Sequence, residues 1–193
     1  DRAINLLRGQ VIPTKGLDSL ITAYYEGWVK FDGPFKVLYM DGEGSMNTEA
    51  GKRELSRLGT RLEVKAPGQH ASKIERKHQT LRFVMHATES ELHRLDIDIT
   101  YSRLLSEGIF ACNAYTFSNG VSPYNAYTGR QPSMLPDLEN IDYPEGGELL
   151  GTTEREDRIR AASIGAIRQA TAIAKVQRAD ATQSSTPGQY AFK

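Results

Sequence analysis

Seven positions set the strongest pattern in the chain. Ile74, His78, Leu81, Met85, Thr88, Leu92 and Leu95 step alternately by four and three residues. That spacing keeps returning to one side of an α-helix and predicts a single continuous helix of about six turns. Upstream, Leu17, Leu20, Ile21, Tyr24 and Trp28 recur at three- and four-residue steps and predict an amphipathic helix over 17–31, stopped by Asp32-Gly33-Pro34. The run 35–40 is short, apolar and rich in strand formers, the signature of a buried strand. It ends at Asp41, which a glycine-rich turn follows. Asn47 can cap a short helix running to Leu58, with Gly59 at its exit. Residues 60–66 alternate like a strand until Pro67-Gly68. Residues 4–13 have the apolar content of a strand or strand end, weakened by Gly9 and Pro13.

Beyond the long seam, a second helix is expected over Tyr101–Phe117 with Leu104, Leu105, Ile109 and Phe110 inward. Residues 120–132 are rich in turn formers. Thr153 and Glu156 have the spacing of a capping box and predict a helix over 154–179. Residues 181–189 have the composition of a flexible stretch. No internal repeat is visible. The element order is strand, helix, strand, helix, strand, helix, helix, which argues an α/β layer with some parallel pairing. In open α/β sheets, function collects at the carboxyl ends of the strands. Asp41 falls at such an end, and Glu75 opens the helix after the next strand, so the two carboxylates can converge.

Charge sharpens this picture locally rather than globally. The 193 residues carry 24 basic and 24 acidic side chains, so net charge gives no reason to expect nucleic acid or membrane. Residues 51–82, however, hold nine Lys/Arg against three acids, while 132–160 hold eight acids against three Arg. That asymmetry suggests a basic working surface and an acidic connector, although charge blocks are often only solvated faces. Cys112 is the one cysteine; it excludes an internal disulfide and suggests a reducing, intracellular compartment, nucleus or cytoplasm. No run approaches the length of a membrane span. Four His and one Cys do not make a structural zinc site.

Two carboxylates brought to one sheet edge are a plausible site for a divalent cation, because Mg2+ takes one or two carboxylates together with water and phosphate oxygens. Three, four and seven residues after Glu75 come His78, Gln79 and Arg82, on its own helix face. With Lys73, Arg76 and Lys77 they can hold a phosphate backbone beside the metal. Plainer readings stand beside this one. An Asp before Gly at a strand end is usually turn chemistry, and a Glu–Arg pair is usually surface. His78, on the seam, fits a core histidine as easily as a DNA contact. Trp28 reads as core and Cys112 as packed.

Four stretches, in order, resemble one family. "GPFKVLYMDGEGS" is similar to the strand and turn around the second catalytic Asp of retroviral and LTR-retrotransposon integrases. "APGQHASKIERKHQTLR" looks like the segment around their third carboxylate, and the 34 positions from Asp41 to Glu75 are close to the family spacing. "LDSLITAYYEGWVKFDGP" resembles the helix before the second Asp, and "NGVSPYNAYTGRQP" the segment that follows the core in retrotransposon polyproteins. The resemblance implies a ribonuclease H-like mixed sheet flanked by helices, followed by a helical connector. It also implies Mg2+ or Mn2+ held by Asp41 and Glu75, DNA as partner, a homo-oligomer, and metal-dependent 3′-end processing and strand transfer.

In that frame residues 1–132 are a catalytic core shortened at its start, 133–153 an acidic linker, 154–180 a connector helix, and 181–193 a tail leading to a further domain. The whole would be a piece of a longer polyprotein. Asp1 resembles a non-catalytic acid of the family, which puts the first catalytic Asp upstream of it and makes this fragment alone inactive. The family turn Asp-x-Gly-x-Glu-Phe is replaced here by Asp41-Gly42-Glu43-Gly44-Ser45-Met46. The alternatives are a decayed or domesticated integrase-like domain that binds DNA or protein without catalysis, and another ribonuclease H-like nuclease.

Overall fold

A computed structural model of the chain describes residues 4–40, 44–64, 72–117, 120–130, 132 and 148–183. They form a helix-rich α/β arrangement that divides into two units. One is contiguous, Arg8–Lys77; the other joins Asp1–Leu7 to His78–Lys193.

The contiguous unit opens with α1 (Leu17–Tyr24), a π-helical turn (Tyr25–Val29) and α2 (Lys30–Asp32), one helical run that ends at Gly33 with φ 74°. Strand β1 (Val37–Met40) follows, then a 3-10 turn (Ser45–Asn47), α3 (Glu49–Arg57) and strand β2 (Arg61–Val64). The cap of α3 is Thr48, one residue after the expected Asn47; its hydroxyl accepts from the Gly51 amide. The strands pair in parallel, Val37 with Arg61 through Met40 with Val64. Tyr24, Met46 and Leu55 are buried, and Leu17, Leu20, Ile21, Trp28, Leu38 and Leu62 pack around them. The expected helix face and the Trp28 reading are therefore borne out. The Tyr24 hydroxyl ties the layers together, bonding Thr60 Oγ1 at 2.7 Å and accepting from the Phe35 amide at 3.0 Å. Gly51 is required by a close approach: a Cβ there would stand 2.5 Å from the Met46 carbonyl oxygen.

The second unit is helical among its described residues. It contains most of α4 (Ser72–Arg94), α5 (Tyr101–Tyr115), the short α6 (Pro123–Thr128) and α7 (Glu148–Gln183). Its core joins Val84 of α4, Ala111 and Cys112 of α5, and Ala166 and Ile167 of α7. Glu107 is buried on α5 and receives Arg160 of α7 through Nε at 2.5 Å and Nη2 at 3.1 Å. The same guanidinium lies 4.1 Å from the Phe110 ring. Buried charge of this kind is tolerated because it is paired and doubly hydrogen-bonded.

Four expectations change. Residues 4–13 form no strand. Instead Leu6 is buried and Asn113 takes the place of a strand neighbour, its Oδ1 accepting from the Leu7 amide at 2.9 Å and its Nδ2 donating to the Leu7 carbonyl at 2.8 Å. The inward face of α5 is Leu104, Gly108, Ala111 and Cys112, with Leu105, Ile109 and Phe110 half-buried. Residues 123–128 are helical, capped by Ser122 and closed by Gly129 in the left-handed region. Helix α7 starts at Glu148, so Thr153 and Glu156 lie inside it rather than at its mouth, and residues 148–153, assigned above to the linker, are helical.

Candidate metal and nucleic-acid site

The sheet register delivers the two strands to one edge together. Met40 ends β1 opposite Val64, which ends β2. The next residue after Met40 is Asp41, which lies outside the described residues, as do residues 65–71 between β2 and α4. Of the expected carboxylate pair, only Glu75 is described.

Glu75 sits in the first turn of α4 with its side chain exposed. Amides not yet paired within a helix give its N-terminal end a partial positive charge, which stabilises a carboxylate there and attracts phosphate oxygens. His78, Gln79 and Arg82 share its side of the helix by spacing, and all three are exposed. This removes the core reading of His78. Arg76 is exposed and Lys77 half-buried on other sides of the helix. Lys73 belongs to α4, and its side chain lies outside the described residues. The seam that predicted α4 is thus two regions: Ile74 is 52% exposed, while Met85, Thr88 and Leu92 are buried.

Carboxylate oxygens suit Mg2+ and Mn2+, so the donor chemistry of Asp41 and Glu75 fits the expected ion. Among the described residues no group of three His, Cys, Asp or Glu side chains is placed to hold a metal. Of the departures after Asp41, the two that fall within the described residues, Ser45 and Met46, are held by their surroundings. Met46, at the family's Phe position, is buried with Tyr24 and Leu55. Ser45, at its Glu position, donates its hydroxyl to the Lys15 carbonyl at 2.8 Å.

Two groups escaped the sequence reading. The first is the Glu107–Arg160 pair, extended by Arg103, which reaches Glu107 at 2.9 Å and Glu156 at 2.5 Å. An acid three residues after Leu104 and four before Ala111, inside an apolar face, was the available signal. The second is the Asn113 clamp, for which the sequence holds no signal.

No protein-family model matches the chain, and no curated protein matches it. Among solved structures it is similar to the crystal structure of the catalytic core domain of BIV integrase. The TM-score is 0.53 at 19% identity, over 65% of this chain and 81% of that one. At that identity the likeness is one of fold: the chain has an integrase-core-like α/β fold. No described helix is long and apolar enough to cross a membrane.

Proposed function

We propose that the chain is the catalytic-core portion of an LTR-retrotransposon-type integrase, acting on DNA ends and target duplex as part of a longer polyprotein. The observation that carries this reading is the fold likeness to an integrase core. It coincides with an exposed glutamate at the helix start that follows two parallel strands ending in register. In this reading Asp41 and Glu75 would hold Mg2+ or Mn2+. Such an ion supplies Lewis-acid activation at the phosphate oxygens. The third carboxylate would lie upstream of Asp1. Gln79, His78 and Arg82 orient the DNA backbone on the Glu75 side of α4, and Lys73, Arg76 and Lys77 add to the attracting field. The segment before Glu148 would be the linker, and α7 (Glu148–Gln183) the connector towards a further domain.

The decisive experiment joins labelled DNA ends to a target duplex with Mn2+ or Mg2+. The 193-residue chain should be inert. A chain extended upstream to include the missing Asp should be active, and Glu75→Gln should then abolish joining without lowering the melting temperature. Inertness of the extended chain, with DNA binding intact, would transfer the reading to a domesticated binding domain. The departures at Gly42-Glu43-Gly44-Ser45-Met46 favour that second reading. DNA binding itself should be sequence-independent and fall steeply with salt. Replacing Lys73, Lys77 and Arg82 by Ala should flatten the log–log salt dependence by about one for each phosphate no longer neutralised; an unchanged slope would assign these charges to solvent.

A further inference from the structure

The last helix continues beyond its own support. Ile159, Ile164 and Ile167 of α7 are buried, but Ile173 and Val176 are 40% and 59% exposed. Branched apolar side chains on the outside of a helix rich in Arg, Lys and Gln are not explained by this unit's core. Earlier on α7 lies a shallow groove against α4, about 490 Å3, lined by Ala87, Glu91 and Leu95 on one side and by Ala162 and Gly165 on the other, with Arg158 also in its lining. Among the described residues, and apart from its chain neighbours and the backbone of its own helix, no atom comes within 4 Å of where a Cβ on Gly165 would stand. The fold itself therefore does not require glycine at this mid-helix position, where glycine is a poor helix former.

The groove and the exposed apolar pair lie on one face of α7, and that face reads the same in both directions. Its centre is Gln169. Four residues to either side come Gly165 and Ile173; seven to either side, Ala162 and Val176; eleven to either side, Arg158 and Asp180. At 3.6 residues per turn all of these fall within a narrow stripe. We propose that α7 pairs antiparallel with α7 of a second copy of this chain, about a two-fold axis at Gln169. Ile173 then sits on the partner's Gly165 and Val176 on the partner's Ala162, large against small at both of these levels. The ends match in charge: Arg158 meets the partner's Asp180, twice by symmetry. Arg158 engages Glu154 through Nε at 3.0 Å and Nη2 at 2.6 Å, and those bonds do not use its Nη1. A two-fold contact requires this self-complementarity, which is why the occupant is a second copy rather than an unrelated protein. The inference is independent of the catalytic reading, since neither Asp41 nor Glu75 takes part.

Sedimentation velocity over a concentration series tests it. The mass of the 193-residue chain should climb from 21.4 kDa towards twice that value. Gly165→Leu should weaken association about tenfold or more, on the scale of a buried interface anchor, with circular dichroism and melting unchanged. Disulfide trapping in a Cys112→Ala background reads the register. Gln169→Cys should cross-link to itself. Asp180→Cys should not, yet should cross-link to an Arg158→Cys chain. Within one copy those two positions stand about 33 Å apart along the helix, so the mixed product can only be intermolecular. A chain that stays monomeric throughout, a dimer indifferent to Gly165→Leu, or self-linking at position 180 would each overturn the proposal.

Discussion

The two ends of α4 obey one spacing rule and meet opposite fates. From Leu81 onward the seam is covered: Thr88 and Leu92 are fully buried, Met85 nearly so, and Leu81 and Leu95 half-buried. Before Leu81 the same seam holds Ile74 and His78, both exposed. Periodicity fixes which side chains share a face; it does not say what lies across from them. The supported end gains its stability from packing, as most protein helices do. The other end carries Glu75 and basic or amide side chains into solvent, where they are accessible to a ligand.

The sharpest way to break this contrast is a pair of truncations. Leu92→Ala should cost about 3 kcal/mol, because an enclosed leucine leaves a cavity. Ile74→Ala should stay within about 0.5 kcal/mol, as surface changes do. Urea titration of both variants checks this, and equal losses would mean that Ile74 is covered in solution. A smaller effect of opposite sign is expected at Thr88. Its Oγ1 is buried without a hydrogen-bond partner among the described residues. Thr88→Val removes that unsatisfied group and should stabilise by about 1 kcal/mol. A loss of stability would show that the hydroxyl is satisfied, by water for example.

The smallest effect concerns pH. Near the supported end, Arg94 donates two hydrogen bonds to Glu91, at 3.1 and 2.6 Å. These bonds hold the Glu91 carboxyl below its ordinary value of 4.5, with the Arg94 charge adding to them and desolvation opposing. A carboxyl depressed in the folded state contributes stability that is present above its unfolded pKa and is lost as pH falls through the folded one. For so exposed a pair the contribution is small. Arg94→Gln should move the Glu91 titration up towards 4.5, as followed by NMR of the side-chain carboxyl. An unmoved titration would remove Arg94 as the cause.

Much of the fold was legible where a pattern had length. Leu17 to Trp28 and the α4 seam gave their helices because several turns repeat the signal. Strand 37–40 stood out as a short apolar run of strand formers and strand 61–64 by its alternation, each followed by turn formers. What failed was set by contacts distant in sequence. Residues 4–13 look like a strand, but a side-chain amide on α5 satisfies Leu7. Small residues such as Gly108 and Ala111 are buried because α5 packs closely against its neighbours, which hydropathy does not reveal. The Ser122 cap, Pro123 and Gly129 were all visible, yet six residues are too few for a helical period. Of the candidate site, exposed Glu75 was legible from its place after a strand. The burial of Glu107 was not, because its partner Arg160 lies 53 residues on.

Asn113 grips Leu7 across 106 residues, and that interval contains the whole of the contiguous unit. During synthesis the chain therefore emerges in an order that its architecture does not follow. Residues 8–77 can complete their own core early. Leu6 and Leu7 must wait for α5, roughly 5–20 s at ordinary elongation rates, with their apolar side chains uncovered. The clamp also reads only the main chain of residue 7, so it is indifferent to which side chain stands there. The first unit to begin is the last to close, and the latch that closes it is blind to sequence at one of its two ends.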